Sequence, residues 1–297
     1  MRATLEALTE ELRRLKAAGV RSVAVDPERI AQLRAAVEAL RNSGAATDPT
    51  LADSARPAAV RPAAEPTKAK VPTLPPPPAI ELPAGSKRDR WEALRTLVLG
   101  DPVCQANVRE ARAVVFGVGN IDAQIMFVGE APGAEEEKQG EPFVGPAGQL
   151  LTKMIGAMGL AREEVYIGNI MNWRPQMPVK ADGEQYGNRP PTAEEMAYCL
   201  PFLRAQIEVV APQVIVALGA TAAHGLLGAD AFKALGEVRG HWHEFAGRPL
   251  MVTYHPSYIL RNQSNRSKRM IWEDLLQVME RAGLPVSDKQ RGFFLGR

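Results

Sequence analysis

The feature that most constrains the fold is a regular alternation of short apolar runs and helical patterns after Lys87. The apolar runs predict strands at Gln124–Gly129, Val165–Asn169, Gln213–Leu218 and Pro249–Tyr254. The helical patterns that separate and follow them cover Ala147–Met158, Ala193–Val210, Ala220–Leu227 and Arg269–Ala282. Such alternation is typical of a mostly parallel sheet covered by helices on both faces, with ligands at the carboxyl ends of the strands. We therefore expect an α/β domain.

Two further segments precede this alternating region. Residues 1 to 42 carry two helical patterns, which predict a helical N-terminal extension that either binds a protein partner or forms a loosely attached tail. Residues 43 to 86 are rich in Ala and Pro and end in a run of four prolines, which favours an extended linker without regular structure. The predicted organisation continues with a catalytic domain at 87–284 and a C-terminal tail at 285–297.

Charge and cysteine content narrow the function classes. A formal net charge of +2 is too small to indicate nucleic-acid binding by itself, so DNA contacts would come from local clusters. The sequence has no run of 18 apolar residues, so we expect no membrane span and a soluble, cytoplasmic protein. Cys104 and Cys199 lie too far apart in sequence to indicate a disulfide framework or a zinc site, and we expect both to be reduced.

Polar residues follow three of the four predicted strands. Glu130 comes after the first strand, Asn169 ends the second, and His255 follows the last. Each residue alone is a weak signal, because a loop Glu is usually solvated and a lone His is more often structural than catalytic. Their placement on one rim of one sheet indicates a site. Gly117 and Gly119 do not form a dinucleotide loop, since they precede the first strand and no helix begins directly after them.

Five segments of the domain resemble family 4 uracil-DNA glycosylases. They are VFGVGNIDAQIMFVGEAPGAEEEKQGEPFVGPAG at 115–148, VYIGN at 165–169, GNRPPT at 187–192, IVALGATAA at 215–223 and HPSYILR at 255–261. The resemblance covers roughly residues 91 to 284 and keeps the family's order of motifs. It implies a three-layer α/β/α sandwich with a central four-stranded, mostly parallel sheet. It also implies a DNA-repair enzyme that flips uracil out of DNA and hydrolyses its N-glycosidic bond.

The resemblance assigns three residues to the base itself. Phe143 would stack on the extruded uracil, which offsets part of the few kcal/mol that unstacking costs. The amide of Asn169 would bind N3–H and O4 of uracil, whereas cytosine would leave one of these pairs mismatched. His255 would face the carbonyl that gains negative charge when the bond breaks.

The loop after the first strand supplies the remaining candidates. Glu130 lies where the family positions the attacking water, and a carboxylate there would also stabilise positive charge on the sugar. We take the adjacent Ala131 and the acidic Glu136 as further substrate-binding positions. The pocket motifs contain no lysine for Schiff-base chemistry, so the resemblance implies a monofunctional glycosylase without lyase activity.

Loops beside the pocket would hold the DNA. The expected DNA contacts are Asn188, Arg189, Ser257, Leu260 and Arg261. Arg189 and Arg261 are the candidates for phosphate contacts. In the superfamily the segment after HPS also supplies a wedge that fills the emptied base stack. Ile259 and Leu260 are the two candidates for that role.

The sequence departs from family 4 in two places. Family members usually hold a [4Fe-4S] cluster through four cysteines, and Cys104 and Cys199 match only two of those positions, with Asp101 and Trp173 at the others. An indole does not ligate iron, so we predict no cofactor and no metal. The loop from residue 174 to 187 is also longer than in typical members and is placed to alter substrate choice. It contains no His, so we expect no covalent capture of the sugar.

Two other functions remain open at this point. One is excision of another deaminated base, such as hypoxanthine. The other is a non-catalytic DNA-binding role, against which the joint presence of Glu130, Phe143, Asn169 and His255 argues. We expect a monomer whose main partner is uracil-containing DNA.

Overall fold

The fold is described by a computed structural model covering residues 74–178 and 185–295 of the 297-residue chain. The predicted N-terminal helices and most of the predicted linker lie outside the described residues, so the expected protein partner of that extension stays a prediction. Residues 74 to 86 form no helix or strand. Leu74, Ile80 and Leu82 nevertheless pack against the domain, so this end of the predicted linker contributes to the core.

Six strands form one mixed sheet. They are β1 (Val118–Gly119), β2 (Ile125–Gly129), β3 (Tyr166–Asn169), β4 (Val214–Leu218), β5 (Trp242–Phe245) and β6 (Arg248–Thr253). Their order is β1-β3-β2-β4-β6-β5. The four central strands are parallel, as predicted, and β1 and β5 add antiparallel edges. The sheet is therefore larger than the four strands expected. The two edge strands were not predicted because β1 has only two residues and β5 carries His243 and Glu244, which do not form an apolar run.

Nine helices are found among the described residues. They are α1 (Lys87–Gly100), α2 (Pro102–Asn107), α3 (Ala134–Gln139), α4 (Pro146–Ala157), α5 (Ala193–Val210), α6 (Ala220–Leu227), α7 (Pro256–Arg261), α8 (Asn265–Arg281) and α9 (Asp288–Arg291). α5 and α6 have the predicted bounds. α8 begins earlier than predicted because Ser264 caps it by accepting a hydrogen bond from the backbone N–H of Ser267. None of these helices is long and apolar enough to cross a membrane.

Successive residues of the buried strands point to opposite faces of the sheet and build two separate cores. On one face, Ile125 and Phe127 of β2 join a cluster with residues of α4 and α8. On the other, Met126 and Val128 join residues of α5 and α6. A third cluster, which we call the cysteine core, contains Cys104 and parts of α1, α2 and α5. The two faces covered by helices confirm the three-layer α/β/α sandwich.

The sheet has a reversal of strand order at β2. The next strand in sequence, β3, lies on one side of β2, and β4 lies on the other. In open α/β sheets a crevice forms outside the carboxyl ends of the strands at such a reversal. Gly129 and Asn169 end two of these strands, and His255 follows β6. The topology thus brings the predicted site residues to one rim.

Candidate active site

Phe143 and Asn169 meet directly above Gly129. A methyl group at position 129 would overlap both the ring of Phe143 and Oδ1 of Asn169, so only glycine permits this approach. Phe143 has a φ of 55°, a left-handed conformation that is uncommon for a residue with a large side chain. Strained backbone of this kind is concentrated at binding and catalytic sites. The ring of Phe143 is therefore held in place against the end of β2.

The side chain of Asn169 carries an acceptor without a donor. Asn169 is only 7% exposed, and its Oδ1 accepts no hydrogen bond from any residue that the structure describes. A buried acceptor left in this state costs about 1–3 kcal/mol. Because the oxygen lies against the ring of Phe143 at the strand end, a bound molecule with an N–H group would remove this cost.

His255 is held as a neutral hydrogen-bond donor. It caps α7, and its Nδ1 accepts the backbone N–H of Ser257 at 3.2 Å and lies 2.9 Å from the Ser257 hydroxyl. With Nδ1 acting as acceptor, the ring proton of the neutral form sits on Nε2. Burial, assisted by the positive charge of Arg261, lowers the pKa of His255 to about 4. The imidazole is therefore uncharged at neutral pH and offers Nε2–H to a ligand.

The rings of His255 and Phe143 are neighbours. Their centroids are 5.6 Å apart and their planes are inclined by 32°. Gly219, which lies between β4 and α6, makes room for the histidine, since a methyl group there would lie 3.0 Å from its Cβ. The ring of Phe143 thus lies near both the imidazole of His255 and the end of β2, where Oδ1 of Asn169 also lies.

Glu130 lies at the carboxyl end of β2, where the strand order reverses. It follows β2 directly, and its backbone oxygen accepts the N–H of Met171 at 3.0 Å. Burial raises the pKa of its carboxyl group, and a hydrogen bond with the Thr221 side chain partly opposes that shift. Thr221 lies in the first turn of α6. The Thr221 side chain is therefore a neighbour of the Glu130 carboxyl group, and sequence reasoning did not single out Thr221.

Glu136 holds the loop that carries Phe143. Its two carboxylate oxygens accept N–H bonds of 3.1, 3.0 and 2.8 Å from Gly133, Val144 and Gly145. Arg162 adds a 2.6 Å hydrogen bond to the carbonyl of Pro142. Glu136 therefore holds this loop, and its predicted substrate contact stays a prediction. Ala131, the other predicted substrate position in this region, packs against the cysteine core.

The two wedge candidates differ in exposure. Leu260 is 41% exposed, whereas Ile259 is 7% exposed and belongs to the core between the sheet, α4 and α8. Of these two residues, Leu260 is therefore the one whose side chain can insert into a bound molecule without leaving the core. Arg261 follows it and is exposed to solvent. Ser257, another predicted DNA contact, uses its hydroxyl group on His255.

The remaining DNA candidates are engaged within the protein. Arg189 makes a bidentate ion pair with Glu195 at 2.7 and 2.6 Å. Asn188 accepts a 2.8 Å hydrogen bond from the guanidinium group of Arg174. That guanidinium also donates to the carbonyls of Gln185 and Gly187. These contacts fasten the loop from 174 to 187 at both described ends, beside the segment that carries Arg189.

The positions that match cluster ligands are occupied by core packing. Trp173 is fully buried and its ring centroid lies 6.2 Å from that of Tyr198. Asp101 caps α2 and accepts the Tyr198 hydroxyl at 3.1 and 3.2 Å. Contact with the Cys199 thiol, together with burial, raises the pKa of Cys104. An indole and a capping carboxylate at two of the four positions do not fit a cluster that needs four thiolates.

Comparisons with known proteins identify the family to which the chain belongs. The uracil DNA glycosylase superfamily model matches residues 116–276. A type-4 uracil-DNA glycosylase of Thermotoga maritima is 48% identical over 164 residues, which is 54% of this chain and 79% of the relative. One of Archaeoglobus fulgidus is 43% identical over 152 residues, 49% of this chain and 71% of the relative. A type-5 enzyme of Pyrobaculum aerophilum is 30% identical over 179 residues, 55% and 73% of the two chains.

The chain belongs to the uracil-DNA glycosylase superfamily. Within it, the type-4 relatives match at higher identity than the type-5 relative, which confirms the predicted resemblance to family 4.

Proposed function

We propose that this protein removes uracil from DNA by hydrolysing the N-glycosidic bond of an extruded nucleotide, which leaves an abasic site. The observation that carries the proposal is the buried Oδ1 of Asn169, which lacks a donor and lies against the ring of Phe143. A flat base with an N–H group on its edge would satisfy that oxygen and stack on that ring. Three relatives that are named type-4 uracil-DNA glycosylases support the same conclusion through their sequence identity to this chain.

The amide of Asn169 explains how uracil is chosen. Its Oδ1 accepts N3–H of uracil, and its amino group donates to O4. Cytosine presents an acceptor at N3 and a donor at C4, so it cannot make the same pair of contacts with the amide and leaves a pair mismatched. A buried polar site of this kind can reject the wrong partner by several orders of magnitude, because its groups would be left unpaired.

His255 acts on the charge that develops during bond cleavage. As the glycosidic bond breaks, the uracil ring becomes negative, and the neutral Nε2–H of His255 stabilises the carbonyl oxygen nearest to it. A fixed donor of this type is typically worth about 3 to 4 kcal/mol in the transition state. Since the imidazole is uncharged at neutral pH, it supplies this hydrogen bond without delivering a proton to the leaving base.

Glu130 acts on the sugar. Loss of the base leaves positive character at C1′ of the deoxyribose, and a carboxylate beside it stabilises this charge and orients the attacking water. Water adds to C1′, its proton passes to the Glu130 carboxylate, and the uracil anion leaves. The neighbouring Thr221 side chain lowers the pKa of this carboxyl group and so favours its charged form, against the effect of burial.

The DNA is held by the segment after His255. Leu260 fills the gap left by the extruded base, since it is the exposed member of the pair 259 and 260. Arg261 contacts a neighbouring phosphate. Arg189 is a weaker candidate for a phosphate contact than Arg261, because Arg189 forms an ion pair with Glu195 and would have to leave or share that partner to bind a phosphate.

Location, oligomeric state and cofactor content can be inferred in the same way. We infer a cytoplasmic monomer that works without an iron–sulfur cluster. Both cysteines are free thiols, which suits a reducing compartment. Trp173 and Asp101 supply packing and capping where family 4 has ligands.

Excision of hypoxanthine is the second candidate. Hypoxanthine carries an N1–H donor next to an O6 acceptor, the same pair that uracil presents, so the unpartnered Oδ1 of Asn169 favours it as well. The two bases differ in size, because hypoxanthine has a second ring fused to the ring that carries this pair.

The test measures single-turnover excision on labelled oligonucleotides that carry one uracil in a single strand, opposite G, or opposite A, with hypoxanthine opposite T as a further substrate. Alkali then cuts at abasic sites. We expect wild type to cleave uracil substrates and Asn169→Ala or His255→Ala to lose about 100-fold or more. His241→Ala, an exposed histidine outside the pocket, is the matched control and should retain the wild-type rate. Absence of cleavage on uracil with cleavage on hypoxanthine would replace the first candidate by the second.

A further inference from the structure

A buried polar cluster lies behind the pocket and is used by none of the steps above. Asp274 of α8 is 1% exposed. It accepts the hydroxyl of Thr253, the last residue of β6, at 2.6 Å. Arg239 donates from Nη1 to both of its oxygens, at 2.8 and 2.9 Å. Because a buried ion pair adds little stability compared with apolar packing, stability alone does not explain this cluster.

The hydroxyl of Thr253 connects Asp274 to the catalytic segment. Thr253 precedes His255 by two residues, and its backbone oxygen accepts the N–H of Gly219 at 2.9 Å. Gly219 is the residue that makes room for the Cβ of His255. The end of β6 is therefore fixed through its side chain by Asp274 and through its backbone by Gly219.

Arg239 reaches the same segment by a second route. Its guanidinium carbon lies 5.4 Å from the ring centroid of Tyr254. Tyr254 in turn stacks on Tyr258 of α7, with centroids 4.3 Å apart and planes inclined by 13°. His255 is the cap of that helix. The residues on both sides of His255 are thus tied to one carboxylate and its guanidinium partner.

We propose that Asp274 is a positioning residue for excision, which orients the imidazole of His255 through Thr253 directly and through Arg239 and the Tyr254–Tyr258 stack. This inference rests on the proposed function of the pocket. A catalytic donor works only within about 0.5 Å and 10–20° of its productive geometry, so freeing the end of β6 lowers the rate. Loss of the contact between Thr253 and Asp274 does not remove any group that touches the substrate, so substrate binding is retained.

Thr253→Val tests the direct link, because valine has the shape of threonine without its hydroxyl. We expect the single-turnover excision rate to fall about 10- to 100-fold while the affinity for uracil-containing DNA changes less than twofold. Thr253→Ser restores the hydroxyl and should recover most of the rate. Val98→Ala removes buried volume in the cysteine core, which contains no residue of β6 or α8, and should leave the rate unchanged.

A double-mutant cycle separates positioning from general damage. In a His255→Ala background, Thr253→Val should cause no further loss, since its effect passes through the imidazole. An equal loss in both backgrounds would overturn the inference, as would an unchanged rate in Thr253→Val alone.

The NMR signal of the His255 Nε2–H reports the environment of the imidazole directly, in an experiment that does not depend on excision. Thr253→Val should shift it, whereas Val98→Ala should not, and an unshifted signal in Thr253→Val would overturn the role of Asp274. Wild-type protein that fails to excise uracil would instead overturn the proposed function, and the NMR comparison would still decide the positioning of His255.

Discussion

Replacing Gly129 with alanine should displace Phe143 and Asn169, the two side chains that we propose contact the base. The added methyl carbon would lie 2.5 Å from Cε2 of Phe143 and would also overlap Oδ1 of Asn169. Carbon atoms pack at about 3.5–4.0 Å, so the ring must move by about 1 Å or more. The ring of Phe143 cannot move away freely. The backbone carbonyl of Phe143 lies close to Gly148, and the loop that carries Phe143 is held by Glu136.

The size of the effect follows from this displacement. Forcing an extra methyl group into a packed site costs about 1–3 kcal/mol of stability. Misplacement of a binding group by about 1 Å costs about 100-fold in rate. Gly129→Ala should therefore lower the melting temperature by about 2–4 °C per kcal/mol and reduce uracil excision about 100-fold.

The assay compares melting temperature and single-turnover excision for Gly129→Ala and Gly156→Ala. Gly156 lies in α4 with no atom within 4 Å of an added methyl group, so alanine there should stabilise the helix by about 0.5–1 kcal/mol and leave the rate unchanged. A wild-type excision rate in Gly129→Ala would refute the placement of Phe143 and Asn169 as the base-binding pair.

Three further predictions concern the pH response, the cluster and the wedge. Since the pKa of His255 is about 4 in the folded protein and about 6.5 when unfolded, stability contributed by the neutral ring is present above pH 6.5 and about 3 kcal/mol of it is lost as pH falls to 4; urea unfolding at pH 7 and 4 should show this loss in wild type and not in His255→Ala. Protein purified without oxygen should contain no iron and sulfide, whereas the double variant Asp101→Cys, Trp173→Cys should bind about four iron atoms per chain; a wild-type cluster found by iron analysis would contradict the fit described above. Leu260→Ala should slow excision from duplex DNA more than from single strands with unchanged stability, whereas Ile259→Ala should lose about 2–5 kcal/mol in denaturant unfolding; equal effects on both substrates would argue against the wedge.

Much of the fold follows from local pattern. The four parallel strands are continuous apolar runs because both faces of the sheet are covered. α5 begins at Ala193 because Thr192 and Glu195 form a capping box, and α6 ends before Gly228. The edge strand β5 escaped prediction since its side chains are partly exposed and polar, so its assignment depends on pairing with β6.

The site was predictable where residue type and strand end coincide. Glu130, Asn169 and His255 reach one rim for topological reasons that the sequence already indicates. The contact of Thr253 with Asp274 spans 21 residues and joins a strand to a helix, so no local pattern reveals it. The turn of Glu136 toward backbone N–H groups depends in the same way on how two loops meet.

The most direct test of uracil excision identifies the released base. Wild-type protein and Asn169→Ala are incubated with duplex DNA that contains uracil together with the four ordinary bases, and the free bases are measured by mass spectrometry. Wild type should release free uracil in an amount equal to the abasic sites formed, with no cytosine or thymine, and Asn169→Ala should release far less. Free uracil at the same rate from both proteins, or none from wild type, would contradict excision by this pocket.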